Sequence, residues 1–324
     1  VSALTEFRSQ EKFADPDRTA DGSERARVAL RALQTLWINT GSLCNIECAN
    51  CYIESSPTND RLVYLTAAEV AAYLDEIDKL SLPTSEIGFT GGEPFMNPAF
   101  LPMLDDALAR GFSALVLTNA MQPMMRLPIR KGLIGLRERY GAKLTLRVSL
   151  DHFTARLHDL ERGDGSFDKA AAGMDWLSAE GFDVTIAARS RWAETEDQTR
   201  AGFATLIAGR GWPIDAQDPA QLVIFPEMDE TAEVPEITTG CWEILGKSPD
   251  EVMCASSRMV VKRKGATQPT VLPCTLLPYD RAFEMGSTLA EAADADGAMF
   301  ESGAVKLCHP HCAKFCVLGG ASCS

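Results

Sequence analysis

The sequence predicts an α/β fold built on a parallel sheet. Short apolar strand segments alternate with amphipathic helical segments six times between Thr35 and Phe225, and the links between them are short. Strands joined by crossover helices run parallel and are buried on both faces, so such a pattern gives a sheet covered by helices. Six such units over about 190 residues make a partial (β/α) barrel or an open doubly wound sheet, and both put chemistry at the C-terminal ends of the strands. After about residue 230 the alternation stops and cysteine becomes frequent, which predicts a small second region of another kind.

The elements follow in order. Residues 1–34 are polar and broken by Asp-Pro and Asp-Gly steps, giving an irregular arm with a short helix over 24–34. Thr35–Thr40 is a strand. Thr66–Leu80 is a helix: Thr66 and Glu69 form a capping box, and Val70, Tyr73, Leu74, Ile77 and Leu80 share one face. Glu86–Thr90 is a strand. Asn97 caps the next helix with Pro98 at its first position, and Gly111 ends it. Ala114–Thr118 is a strand, followed by a weaker helix over 128–140 interrupted at Gly132 and Gly135. Leu144–Leu150 is a strand and Ser166–Glu180 a helix closed by Gly181. Val184–Ala188, a helix over Glu196–Ala208 stopped by Gly209 and Gly211, and Leu222–Phe225 complete the series. Beyond it, Arg258–Arg263 and Thr270–Leu272 read as a hairpin around Lys264-Gly265, and the end is short and cysteine-rich through Gly319-Gly320.

The 324 residues are 46% apolar, enough to bury a core in one large domain or two ordinary ones. No stretch approaches the roughly 18–20 uninterrupted apolar residues of a membrane span. No basic start followed by an apolar run marks an export signal, so a cytoplasmic protein is expected. A formal charge of −14 argues against a duplex nucleic-acid binder, whose affinity rests on Lys and Arg at phosphates. In a reducing compartment, ten cysteines read as metal ligands or reactive thiols rather than as disulfides. They fall in two groups. Cys44, Cys48 and Cys51 stand together, and Cys241, Cys254, Cys274, Cys308, Cys312, Cys316 and Cys323 fill the C-terminal quarter.

The first group sits just beyond the end of the first strand. Three thiolates on one loop can hold three irons of a four-iron cluster and leave the fourth open to a substrate or cofactor. Zinc prefers four ligands, usually from CxxC pairs, and no His is near in sequence. The spacing CxxxCxxC followed by Tyr52 resembles the signature of the radical S-adenosylmethionine (radical SAM) enzymes. The resemblance continues with Gly91-Gly92-Glu93-Pro94 after the second strand, Thr118-Asn119 after the third and Ser149-Leu150-Asp151 at the end of the fourth. His158-Asp159 through Arg162-Gly163, then Gly165-Ser166-Phe167, resembles the family's HDxxRG and GSF stretch. It implies a partial (β/α)6 TIM barrel.

That resemblance also implies roles. Cys44, Cys48 and Cys51 hold a 4Fe-4S cluster whose open iron binds the amino and carboxylate groups of SAM. Gly91, Gly92 and Glu93 present backbone carbonyls to the ammonium, since glycine permits close approach. Tyr52 packs near the adenine, Ser149 bonds the ribose, and Arg162 pairs with the SAM carboxylate. Asn119 and Asp151 are further candidates. So is Arg189, which with Arg191 ends the fifth strand and could serve the SAM carboxylate or an anionic substrate. His152 and His158 read as loop and packing residues. The implied chemistry is reductive: one electron passes to the sulfonium, the C–S bond breaks, and the resulting 5′-deoxyadenosyl radical takes hydrogen from a substrate.

The tail is too small to build much core unaided, and a metal centre would supply the missing stabilisation. Cys254 before the hairpin and Pro273-Cys274 after it resemble the twitch or SPASM auxiliary-cluster domains, although Cys308, Cys312 and Cys316 depart from the CxxC pair of the SPASM pattern. One auxiliary 4Fe-4S cluster on Cys254, Cys274, Cys312 and Cys316 is the preferred reading. Cys241, Cys308 and Cys323 stand in reserve for a second, and a zinc site aided by His309 and His311 is the rival. The division is therefore an arm over 1–34, a barrel over 35–229 and an auxiliary iron–sulfur domain over 230–324. A radical SAM enzyme acting on a small molecule or short peptide is expected, with a flavodoxin or ferredoxin as reductant and no nucleic-acid or membrane partner. The arm is too short for a leader-binding domain, which weighs against a maturase of ribosomal peptides, the first alternative. An electron-transfer protein without SAM chemistry and a zinc-stabilised binding module are alternatives of other classes.

Overall fold

The computed structural model describes residues 11–227 and 233–319. After a two-residue strand β1 (Arg27–Val28), the alternation runs β2 (Thr35–Asn39), α1 (Ala67–Lys79), β3 (Glu86–Thr90), α2 (Phe100–Ala109) and β4 (Ser113–Thr118). A short turn α3 (Gln122–Met125) leads into α4 (Leu127–Tyr140), then β5 (Leu144–Ser149), α5 (Ala155–Arg162) and α6 (Ser166–Ala179). β6 (Asp183–Ser190), α7 (Glu196–Arg210) and β7 (Leu222–Pro226) end the series. Strands β2 to β7 pair in sequence order, each parallel to the next. Most of their side chains are buried between the strands' inner face and the helical layer, as a parallel sheet requires.

Local chemistry accounts for the clearest helices. In α1 the Thr66 hydroxyl accepts the Glu69 amide at 3.2 Å and the Glu69 carboxylate accepts the Thr66 amide at 2.9 Å. Val70, Tyr73, Leu74 and Ile77 form its buried face, as the periodicity predicts, whereas Leu80, expected on the same face, is the C-cap and is exposed. Thr195 and Gln198 make the same reciprocal cap on α7, and Gly211 closes that helix in the left-handed region at φ +68°.

Four local readings differ. No helix forms over 24–34: β1 pairs antiparallel with β11 (Ala304–Lys306), which also pairs with β10 (Phe300–Glu301). That partner lies nearly the whole chain away, beyond the reach of local periodicity. Asn97 does not cap α2, which begins at Phe100. Its buried amide instead donates to the Thr40 and Leu65 carbonyls at 3.3 and 2.9 Å, tying two loops together. Gly132 and Gly135 do not interrupt α4, and a Cβ at Gly132 would meet Leu101 at 2.5 Å, so this glycine lets α4 approach α2. Helix α5 was not anticipated, because its residues read as a motif rather than as a periodic segment.

The C-terminal region joins the barrel's own sheet. β8 (Ser257–Val261) and β9 (Thr270–Leu272) are antiparallel to one another; the eight residues between them include the expected turn at Lys264-Gly265, where the Ala266 amide donates to the Arg263 carbonyl at 3.0 Å. β8 also pairs parallel with β2, Thr35 opposite Ser257 and Ile38 opposite Val260, giving the order β7-β6-β5-β4-β3-β2-β8-β9. Every residue of β2 and of β8 is buried, so pairing satisfies backbone that water cannot reach. A short helix α8 (Cys241–Leu245) precedes this hairpin. A second, α9 (Leu289–Ala293), follows it and packs against α1. A helical turn over Cys312–Leu318 ends the described chain. Among the described residues no helix is long and apolar enough to cross a membrane.

Candidate functional site

The loop after β2 carries Cys44, Cys48 and Cys51, and its course is held by backbone bonds. Ser42 and Cys44 amides donate to the Leu62 and Ser56 carbonyls at 3.0 Å. The Gly92 and Glu93 amides donate to Gly41 and Leu43 at 2.8 and 3.1 Å, which presses the loop after β3 against the cysteine loop. Gly91 sits at φ +138°, and a Cβ on Gly92 would lie 2.1 Å from the Leu43 carbonyl oxygen. Only glycines permit this approach.

The three thiols face a cleft enclosing about 1040 Å³, its open mouth included, at the C-terminal ends of the strands. Tyr52, Gly91, Gly92, Asn119, Ser149, Asp151, Arg162 and Arg189 line the same cleft, so it gathers every candidate of the first site except Glu93. Glu93 stands behind the wall. Its carboxylate accepts from the Thr118 hydroxyl at 2.9 Å and the Asn119 amide at 2.9 Å, and burial pushes its pKa up to about 7. It fixes the ends of β3 and β4 relative to each other.

Asp151 and Arg162 form a buried two-pronged pair, with Nε and Nη2 of Arg162 donating at 2.6 and 2.9 Å. Burial raises the Asp151 carboxyl, but the charge and hydrogen bonds of Arg162, helped by Arg189, outweigh it and hold the acid below its usual range. Burial likewise opposes the Arg162 charge. The charge and hydrogen bonds of Asp151 prevail and keep the guanidinium protonated. The prongs expected to meet a SAM carboxylate are therefore engaged with Asp151, which fixes where the guanidinium stands.

The HDxxRG and GSF residues have separate structural tasks. The His158 ring accepts the Asp151 amide at 3.2 Å, and burial depresses its pKa to about 4, so it is neutral. Asp159 accepts the amides of Gly165 and Phe167 and the Ser166 hydroxyl at 2.8–2.9 Å, capping α6. Glu161, which sequence reasoning passed over, is buried and holds the cysteine loop: it accepts the Asn50 amide at 2.8 Å and the Asn50 side chain at 2.9 Å. It pairs with Arg191 at 2.7 Å, while Arg189 donates to the Asn50 carbonyl at 2.8 Å. Its place one residue before Arg162 was the available signal. Phe225, Pro226, Leu276 and Phe315 also line the cleft without having been singled out.

Burial drives the pKa of Cys44 up to about 12 and, against the opposing charge of Arg162, that of Cys48 to about 11. Without a metal these thiols are protonated at neutral pH, and metal binding must expel the protons. Soft sulfur donors on one loop, with Asn119 Nδ2 at 3.8 Å from the Cys44 sulfur, fit an iron–sulfur cluster.

A second cavity, of about 360 Å³, brings together Cys254, Cys274, Cys312 and Cys316 with Pro273, Leu276 and His311 among its lining. Cys254 lies in the turn before β8, Cys274 follows β9, and the other two lie a turn apart on the terminal helical turn. Burial pushes the Cys254 thiol up to about 11 and the Cys312 thiol well above its usual value. Leu276 belongs to the wall of both cavities. Neither Cys241 nor Cys308 lines this cavity, although Cys308 acts on the Cys312 thiol. Cys308 donates to the Phe13 carbonyl at 2.9 Å, the Cys241 sulfur accepts the Thr238 amide at 3.3 Å, and Cys323 is outside the described residues. The rings of His309 and His311 lie with centroids 4.6 Å apart and tilted by 56°, and burial depresses His309 to about 4.

Comparison with known proteins agrees with this geometry. Residues 38–188 match the family model described as the Radical SAM superfamily. Over 145 residues, 44% of this chain, the sequence is 32% identical to the antilisterial bacteriocin subtilosin biosynthesis protein AlbA of Bacillus subtilis. Over 139 residues, 43% of this chain, it is 28% identical to the mycofactocin maturase MftC of Mycobacterium tuberculosis. The chain spans only 30% and 33% of the length of these curated relatives. In fold it is similar to Streptococcus suis SuiB bound to S-adenosylmethionine (TM-score 0.59, 13% identity, 83% of this chain and 67% of that one). It is also similar to anSMEcpe with bound AdoMet (TM-score 0.57, 15% identity, 81% and 78%). Residues 38–188 thus form a domain of the Radical SAM superfamily, with the partial TIM barrel of its structural neighbours.

Proposed function

We propose that this chain is a radical SAM enzyme that acts on a peptide, with the barrel of residues 35–229 holding SAM and the region 230–324 holding one auxiliary 4Fe-4S cluster. The observation that carries the proposal is the convergence of Cys44, Cys48 and Cys51 with Gly91, Gly92, Ser149 and Arg162 in one cleft. When bound, the cluster and SAM supply one-electron cleavage of the sulfonium and a radical able to take hydrogen from an unactivated carbon. This chain's residues do the rest. Gly91 and Gly92 bring backbone against the ligand, and Arg162, oriented by Asp151, presents a fixed positive charge to a carboxylate. Tyr52 offers an aromatic face to the adenine, Ser149 a hydroxyl to the ribose, and Asn119 and Arg189 further polar groups. The apolar walls from Leu117, Phe225, Leu276 and Phe315 keep water from the reacting carbon.

Several things support the choice of substrate and of metal. AlbA and MftC are named for bacteriocin biosynthesis and mycofactocin maturation, and SuiB has been solved with its precursor peptide SuiA. A peptide is therefore favoured over a small molecule, and a flavodoxin or ferredoxin is the proposed reductant. Among the described residues no three His, Cys, Asp or Glu side chains are grouped to hold a single metal ion, whereas the thiols ring two cavities, which suits multi-iron units over zinc. Anaerobic reconstitution tests the whole scheme. Two four-iron clusters require about eight irons per chain, with 5′-deoxyadenosine released on reduction with SAM. About four irons would remove the auxiliary cluster, and bound zinc with no SAM cleavage would overturn the proposal.

A further inference from the structure

Arg258 is the least expected charge in the molecule. It is the second residue of β8, is 1% exposed, and cannot shed its proton under ordinary conditions. Four other largely buried cations here have carboxylate partners: Arg25 pairs with Glu236, Arg162 with Asp151, Arg200 with Glu196 and Lys306 with Asp17. Arg258 has none among the described residues. Nη1 donates to the carbonyls of Cys254 and Ser257 at 2.6 and 2.8 Å, and Nη2 donates to that of Gly303 at 3.1 Å. Nε is buried with no partner.

Carbonyl dipoles solvate a guanidinium but do not neutralise it, and a buried charge left without a counter-charge is strongly unfavourable. The ionisable groups that act on Arg258 are the thiols of Cys254 and Cys274, both on the wall of the second cavity. As protonated thiols they offer no negative charge. As ligands of a cluster they would. Four thiolates around a four-iron core leave the unit anionic when oxidised and more so when reduced, and net charge and hydrogen bonding near a cluster tune its potential.

We propose that Arg258 is the built-in counter-cation of the auxiliary cluster and acts as a positioning residue that raises its reduction potential. The inference rests on the reading of Cys254, Cys274, Cys312 and Cys316 as cluster ligands. A fixed positive charge favours the more negative, reduced state, so removing it makes the cluster harder to reduce.

The test is a redox titration of the reconstituted full chain followed by electron paramagnetic resonance, in a Cys48→Ala background so that the auxiliary signal stands alone. Iron and sulfide are counted for each protein. Arg258→Gln is expected to retain its irons and to shift the one-electron reduction equilibrium at least about tenfold toward the oxidised form, about 59 mV more negative. Arg258→Lys, which keeps the charge but not the fork, is expected to stay close to the Cys48→Ala parent. A Gln variant that keeps its irons with an unmoved equilibrium would overturn the inference. If the Gln variant does not assemble the cluster, the Lys variant decides: loading with the parent's potential supports the role of charge. Failure to load despite a native circular-dichroism spectrum would make Arg258 structural and overturn it. Absence of a cluster from the Cys48→Ala parent itself would instead refute the ligand reading, and this inference with it.

Discussion

At the scale of single residues, the site is built on two buried carboxylates with opposite electrostatic fates. Asp151 is held ionised by Arg162, whereas Glu93 has neutral donors and its pKa rises to about 7. The consequences for stability have opposite signs. Asp151, depressed in the fold, adds stability above its unfolded pKa and loses it as pH falls through the folded one. Glu93 contributes fully below about pH 4.5 and loses that contribution as pH rises through about 7. The parent apoprotein should therefore lose up to about 3 kcal/mol more than Glu93→Gln over that interval. Urea unfolding at pH 4.5 and 7.5 measures this, and parallel profiles for the two proteins would contradict it. Asp151→Asn leaves the buried Arg162 charge uncompensated and should cost about 3–5 kcal/mol in the same assay. It should also weaken SAM binding to the reconstituted protein, read by equilibrium dialysis.

At the scale of elements, legibility followed the reach of the forces. The capping box at Thr66 and Glu69 and the apolar face of α1 depend on neighbours within a turn or two, and the structure has both. The capping box is peripheral to the cleft, so Thr66→Ala should cost about 1 kcal/mol of stability and leave SAM cleavage unchanged. The pairing of β8 with β2, and of β1 with β11, depends on partners more than two hundred residues away, and no local pattern announces them. The site was legible at the strand ends because the ligand-bearing motifs are short and local. What was not legible is the bracing: Glu161, which ties the cysteine loop to α5, and Asn97, which ties two loops together, look in sequence like an unmarked motif position and a helix cap. Gly92 sits where two such loops touch. Gly92→Ala forces its Cβ toward the Leu43 carbonyl, and the variant is expected to retain the barrel by circular dichroism while losing iron from the first site.

At the scale of the whole molecule, the cysteine-bearing region is sewn into the barrel. β8 continues the sheet beside β2, α9 packs on α1, and Phe315 and Leu276 complete the wall of the cleft. The two cavities share Leu276, so a cluster in the second would lie one side-chain layer from the substrate space of the first. That closeness would give an auxiliary cluster held there a physical route to act on a substrate-derived radical, while the cysteines of the two sites come from different parts of the fold. The two sites are therefore expected to have separable tasks. The direct measurement is 5′-deoxyadenosine formed on reduction with SAM, compared in reconstituted Cys48→Ala and Cys274→Ala proteins of verified fold. Cys48→Ala should form none, and Cys274→Ala should cleave SAM at a rate close to that of the parent. Equal loss in both, with both folds intact, would contradict the claim.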